Sequence, residues 1–166
     1  MSFKRFWGIA ALLALLTLLV FPASASTVSF LVVETGLNEE SPHVQYSSLW
    51  EGGLMETFFN AGHIVTNSPI LRMKTKPAQV LSGALKEDFD EAYLGGVDYF
   101  ILGFLCYKMQ DGMAIPFEMA IRVYSTAPQA LVFERTFPAG SGRTLNEEYQ
   151  FAQNAGRVLA SQIRER

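Results

Sequence analysis

The sequence predicts an α/β domain: a mixed five-stranded sheet with helices on both faces, in the order β-α-β-α-β-β-β-α. Two runs, Thr27 to Thr35 and Val97 to Met109, are apolar at both parities, the pattern of strands covered on both sides. Two stretches of helical periodicity separate the first three strands, and such connections make parallel neighbours with right-handed crossovers. Asp111-Gly112 is a tight-turn pair that opens an antiparallel meander. Of the 166 residues, 49% are apolar and 17% charged. That excludes a disordered chain, which lacks the apolar surface to offset its conformational entropy.

The amino end reads as a leader. Met1 to Arg5 is a short basic start, Phe6 to Phe21 is sixteen residues without a charge, and Pro22 breaks the run before Ala23-Ser24-Ala25. Small residues there suit a signal peptidase. Sixteen helical residues span about 24 Å, short of the ~30 Å hydrocarbon core. The expectation is a cleaved signal peptide over residues 1–25 rather than a retained anchor. It leaves one domain over 26–166 that does not span the membrane and is periplasmic or secreted. No cysteine lies near the cleavage site, so lipid attachment there is not expected. Loss of Lys4 and Arg5 takes the formal charge of −3 to about −5, which offers no footprint for nucleic acid.

The first strand is Thr27 to Thr35. From about Val44 to Asn60, Tyr46, Trp50, Leu54 and Phe58 recur every four residues, widened by Leu49, Met55 and Phe59. This is a helix, with Gly62 suited to its left-handed cap. Gly52-Gly53 weakens it, and close approach to the sheet is the expected compensation. His63 to Asn67 is a short second strand. Pro77 suits the first turn of the next helix, whose stripe is Val80, Leu81, Ala84, Leu85 and Ala92, stopped by Gly95-Gly96. The third strand turns Tyr99, Ile101 and Leu105 one way, and Phe100, Leu102 and Phe104 the other. In the fourth, Phe117, Met119, Ile121 and Val123 oppose Glu118, Arg122 and Tyr124. The fifth, Ala130 to Phe137, points Leu131, Phe133 and Phe137 inward. Thr144 and Glu147 form a capping box for a final helix with Phe151, Ala155, Val158, Leu159 and Ile163 on one side.

Cys106 is the sole cysteine, which excludes an intramolecular disulfide framework. In the run Phe104 to Tyr107 it is expected to be buried and reduced.

Two passages carry a family resemblance. Phe58-Phe59-Asn60-Ala61-Gly62 ends a helix before a short strand. Gly95-Gly96-Val97-Asp98-Tyr99-Phe100-Ile101-Leu102-Gly103 leads into a strand, Asp111-Gly112 and a meander. Together they resemble the TolB N-terminal domain and its relatives, the periplasmic parts of CsgG-like, FlgO-like and LpoB-like proteins. The resemblance covers nearly the whole domain by element order. It implies an envelope domain that docks other proteins. The sequence departs from it in carrying no propeller and no lipobox cysteine, and in a long loop from Glu34 to His43.

The residues themselves specify no chemistry. Gly-x-Ser-x-Gly, His-Glu-x-x-His and Cys-x-x-Cys are absent, so no catalytic residue, metal or cofactor is expected. His63, after a helix-ending glycine, reads as structural. Glu34, Glu39, Glu40 and His43 could make an oxygen-rich loop site or a solvated acidic loop. Gly140-Ser141-Gly142-Arg143 imitates an anion cradle before the Thr144 cap but lacks the Walker spacing; a plain turn is the alternative. Glu34, His43 and Arg143 are therefore the ligand-loop candidates.

The functional reading is a non-enzymatic envelope domain that binds or helps assemble other envelope proteins. The alternatives are a small-ligand or anion-binding exported protein, and a secreted hydrolase. Glu118, Arg122, Tyr124, Val132 and Glu134 are the expected partner-binding residues, mixing aromatic, arginine and acidic groups beside a sheet edge. The competing possibility is that the terminal helix covers that face.

Overall fold

The computed structural model describes residues 25–37, 45–77, 81–140 and 142–164. Residues 1–24 of the leader, Glu39, Glu40, His43, Val44 and Val80 fall outside them. The elements are β1 (Thr27–Thr35), α1 (Gln45–Asn60), β2 (Ile64–Asn67), β3 (Leu71–Met73), α2 (Ala84–Leu94), β4 (Tyr99–Gln110), β5 (Met113–Ser125), β6 (Ala130–Pro138) and α3 (Leu145–Arg164).

The sheet has six strands, ordered β2-β1-β4-β5-β6, with β3 also paired to β1. The extra strand continues β2 along the same edge. β2 pairs in parallel with Thr27–Phe30 and β3 with Val33–Thr35. Pro69, which has no N–H to donate, falls in the gap between them. A three-residue strand is too short to leave a sequence period. β4 runs parallel to β1 on its other side, and β5 and β6 follow as an antiparallel meander.

Because β2 and β4 flank β1 on opposite sides, the two crossovers place α1 and α2 on opposite faces. One core joins Val28, Phe30, Val32, Ile101 and Leu105 to Trp50, Leu54 and Phe58 of α1 and Ala152, Leu159 and Ile163 of α3. The other joins Leu31, Val33, Phe100, Leu102 and Phe104 to Leu85, Phe89 and Ala92 of α2. The double-sided apolar character of β1 and β4 follows from these two layers. Asp111 and Gly112 both take positive φ, 51° and 76°, as the hairpin turn requires.

Several expectations are corrected by the packing. The Gly52-Gly53 step serves helix–helix contact, not contact with the sheet. A Cβ on Gly53 would lie 2.8 Å from the Ala152 Cβ and 3.0 Å from the Tyr149 carbonyl oxygen. Phe59 is 70% exposed, since it lies about 100° around the helix from Phe58; Val158 is likewise turned outward beside buried Leu159. The second helix does not begin near Pro77. It starts after Gly83, leaves Ala84 exposed, and is anchored by Phe89, which completes the stripe Leu85–Phe89–Ala92.

Two β-bulges reset faces that strict alternation assigns wrongly. One, at Cys106/Tyr107, leaves Phe117 unpaired on β5 and exposed; the other, at Val123/Tyr124, leaves Val132 unpaired on β6 and turns Leu131 out to 50% exposure. Cys106 is half-buried rather than buried. It sits at the last residue of β4 paired with β1, where the sheet cover runs out.

Phe58 is fully buried and packs edge-on to Phe30 at 5.2 Å. Phe58→Ala is expected to cost about 3–5 kcal/mol in denaturant unfolding. A loss below ~1 kcal/mol would place that stripe outside the core.

Candidate docking surface

Cross-strand partners share a face, so the register decides which residues meet. Arg122 opposes Glu134 and Tyr124 opposes Leu131. Glu118, Arg122, Tyr124 and Glu134 therefore lie together on the α2 side of β5 and β6. Val132 does not join them; as the bulge residue it packs into the α1–α3 core.

The four are not equally accessible. Tyr124 is 7% exposed, with its ring edge-on to Phe89 at 6.1 Å. Burial raises its hydroxyl's titration, Glu134 adds to the rise, and Arg122 opposes it. Tyr124 thus supports the surface from beneath. Arg122 Nε donates to Glu134 Oε2 at 3.0 Å, and its guanidinium lies 5.8 Å from the centre of the buried Phe104 ring. Lys76 Nζ lies 5.4 Å from the same ring and 3.9 Å from Glu134. Two cations and one carboxylate thus roof Phe104 where α2 does not reach. Glu118 is half-buried, while Leu131, Glu134 and Thr136 are exposed.

Among the described residues, β6 pairs only with β5 and ends the sheet. Its outer side is a row of backbone groups open to an added strand. The terminal helix does not cover this face: α3 packs with α1 on the opposite side. The possibility that it covered the expected surface is thereby removed.

The ligand-loop candidates are placed apart from that surface and from each other. Glu34 is buried near the carboxyl end of β1, where strand order diverges to β2 and to β4, the place at which open α/β sheets hold ligands. Both its oxygens are occupied. Ser47 Oγ donates to Oε1 at 2.5 Å, and Arg72 donates to Oε2 from Nε at 3.0 Å and Nη2 at 2.8 Å. Tyr107 belongs to the same cluster; burial above all, then the Glu34 charge, pushes its titration well up, against the Ser47 hydroxyl and Arg72. His43 lies outside the described residues.

Arg143 is engaged by a buried acid that sequence reading did not single out. Its Nε donates to Glu148 Oε2 at 2.6 Å and its Nη2 to the Pro138 carbonyl at 2.8 Å, while the guanidinium stacks over Phe151 at 4.2 Å. Glu148 Oε1 also accepts from Trp50 Nε1 at 2.7 Å and the Gly140 N–H at 3.0 Å. The Gly140–Arg143 turn therefore wraps a carboxylate of the chain itself. The available signal was Glu148 beside the capping-box Glu147, which reads as a second solvated acid. The capping box forms as expected: Thr144 N donates to Glu147 Oε2 at 2.8 Å, and Glu147 N donates to Thr144 Oγ1 at 3.3 Å.

Among the described residues, no helix is long and apolar enough to cross a membrane. No protein-family model matches the chain, and no curated protein matches it. Solved structures with a similar fold include PelC from Paraburkholderia phytofirmans, a dodecamer, at 14% identity over 83% of this chain and 86% of that one, TM-score 0.49. They include TolB from Acinetobacter baumannii at 13% identity, covering 87% of this chain but 28% of TolB, TM-score 0.40. The LpoB C-terminal domain from Salmonella enterica is similar at 10% identity over 78% and 93% of the two chains, TM-score 0.43. TolB and LpoB are the proteins whose domains the Gly95–Gly103 passage resembles.

Glu148→Ala is expected to cost about 3–5 kcal/mol, because it leaves the buried Trp50 N–H and the Arg143 charge without their acceptor. Equal unfolding midpoints for the variant and the parent would refute that. At Glu147, hydrogen bonds from Thr144 hold the carboxyl below its ordinary value. A lowered folded pKa adds stability above the unfolded value, near 4.3, and loses it as pH falls through the folded one. Glu147→Gln should accordingly flatten the acid limb of stability against pH below about 4.5, and an unchanged limb would count against the box.

Proposed function

We propose that the protein is a non-enzymatic, exported cell-envelope protein that binds another envelope protein through β6 and the adjoining α2-side face of β5 and β6. One observation carries this reading: β6 is a nine-residue edge strand that no other described strand pairs on its outer side, the terminal helix being committed to the other face. The contact residues are Arg122, Glu134 and Glu118, joined by exposed Leu131 and Thr136, with Tyr124 beneath them. An edge strand with an apolar side chain beside an ion pair suits strand addition. Main-chain bonds would give affinity, and the flanking side chains specificity. The leader expected from residues 1–25 supports export, and the resemblance to TolB- and LpoB-like domains points to the same compartment.

A photo-crosslinking residue placed at Leu131 or Thr136 should capture a discrete partner in intact cells, and one at Asn154, exposed on α3, should not. The pair Leu131→Lys and Thr136→Lys should abolish capture from a crosslinker at Glu134 while the unfolding midpoint stays within about 2 °C. Capture from Asn154 alone, or capture indifferent to the pair, would place the surface elsewhere.

A further inference from the structure

We propose that the strand received by β6 carries a carboxylate on its α2 side, an aspartate or glutamate opposite Thr136, and that Lys76 is the cation that receives it. The inference rests on the docking reading and names the chemistry of the partner. Strand addition supplies the register: a residue opposite a β6 residue turns its side chain to the same face. In the existing sheet Phe104 of β4 opposes Ala120 of β5, which opposes Thr136 of β6. These three make one row on the α2 side, and the next member of the row belongs to the added strand.

Lys76 stands over this row. Its Nζ lies 5.4 Å from the centre of the Phe104 ring and 3.9 Å from Glu134 Oε1. β4 and β6 are two strand spacings apart, about 10 Å, so the ammonium sits between them, over buried Ala120. Alanine and threonine are both short. The row therefore places no long side chain between the ammonium and an incoming strand.

The charges leave Lys76 as the spare cation. Among the described residues, Glu134 is the one carboxylate paired with either Lys76 or Arg122. Arg122 Nε donates to its Oε2 at 3.0 Å, whereas the Lys76 contact, at 3.9 Å, is too long for a hydrogen bond. Arg122 is itself short of acceptors, its Nη1 being buried without one among the described residues. Two cations thus share one carboxylate. A second carboxylate opposite Thr136 meets Lys76 without lying directly opposite Glu134, where like charge would oppose it. A basic residue in that place is repelled by Lys76, so the row selects among strands that main-chain bonds alone accept equally.

The photo-crosslinking residue at Leu131 reads the partner of the exported full chain in intact cells. Lys76→Met should lower capture several-fold, and so should Thr136→Glu, which supplies the carboxylate from within the chain. Lys76→Arg and Thr136→Gln should keep capture. In the captured segment, replacing one acid by its amide should lower capture as Lys76→Met does, and the two together should lower it no further. Capture indifferent to Lys76→Met, or losses that add, overturns the proposal while leaving the docking surface in place. No capture from Leu131 in the parent overturns both. Capture of a second copy of this chain also overturns it, because the carboxylate that copy brings, Glu134, is already held by its own Arg122. Thermal unfolding tests the row without a partner: Thr136→Glu should gain about 2 °C in Tm over Thr136→Gln, and Lys76→Met should remove the gain. No gain, or the same gain with Lys76→Met, means that Lys76 does not serve the row and overturns the proposal.

Discussion

The carboxylate of Glu148 is fully buried in the first turn of α3, and its three partners come from two other places in the chain. Trp50 lies on α1, Gly140 and Arg143 lie in the connection after β6, and all donate to this one group. Removing a carboxylate from water costs several kcal/mol unless its lone pairs are satisfied. Satisfying them fixes where α3 begins and which side of the sheet it takes. Beyond that turn, α3 can approach α1 closely because Gly53 leaves room for Ala152 and Gly156 for Thr57. A buried charge and a pair of glycines thus commit the terminal helix to the α1 face.

That commitment shapes the rest of the surface. With α3 spent on one side, α2 is the one described helix on the other; it has 11 residues and buries Leu85, Phe89 and Ala92. Beyond its reach, Phe104 is roofed by Lys76 and Arg122, whose charges meet at Glu134. Partly exposed ion pairs of this kind contribute little stability, about 0–1 kcal/mol each. The edge beside them is left unpaired. The open edge on which the proposed docking rests is consequently a result of helix placement at the opposite face.

Much of this was legible in the residues. The double-sided apolar runs in β1 and β4, the Asp111-Gly112 turn, the Trp50–Leu54–Phe58 stripe and the Thr144–Glu147 box are local signals, and each appears where its pattern places it. What escaped is what depends on partners distant in sequence. β3 exists because β1 offers an edge, not because Leu71–Met73 carries a period. Leu131 and Phe117 face outward because a bulge inserts one residue, and alternation cannot register an insertion it has no means to locate. Gly53 reads as a weak point in a helix until Ala152, 99 positions away in the chain, is seen to need the space. Glu148 and Arg143 look like a solvated acid and a loop cation, since neither betrays that Trp50 closes over them.

Native-state hydrogen exchange along β6 tests the central claim most directly, because an open edge strand bonds through only alternate amides. In the isolated protein, alternate amides between Ala130 and Phe137 should exchange quickly while those of β5 from Glu118 to Ser125, paired on both sides, stay protected. Uniform slow exchange along β6 would mean that its outer edge is already covered, and would contradict the account.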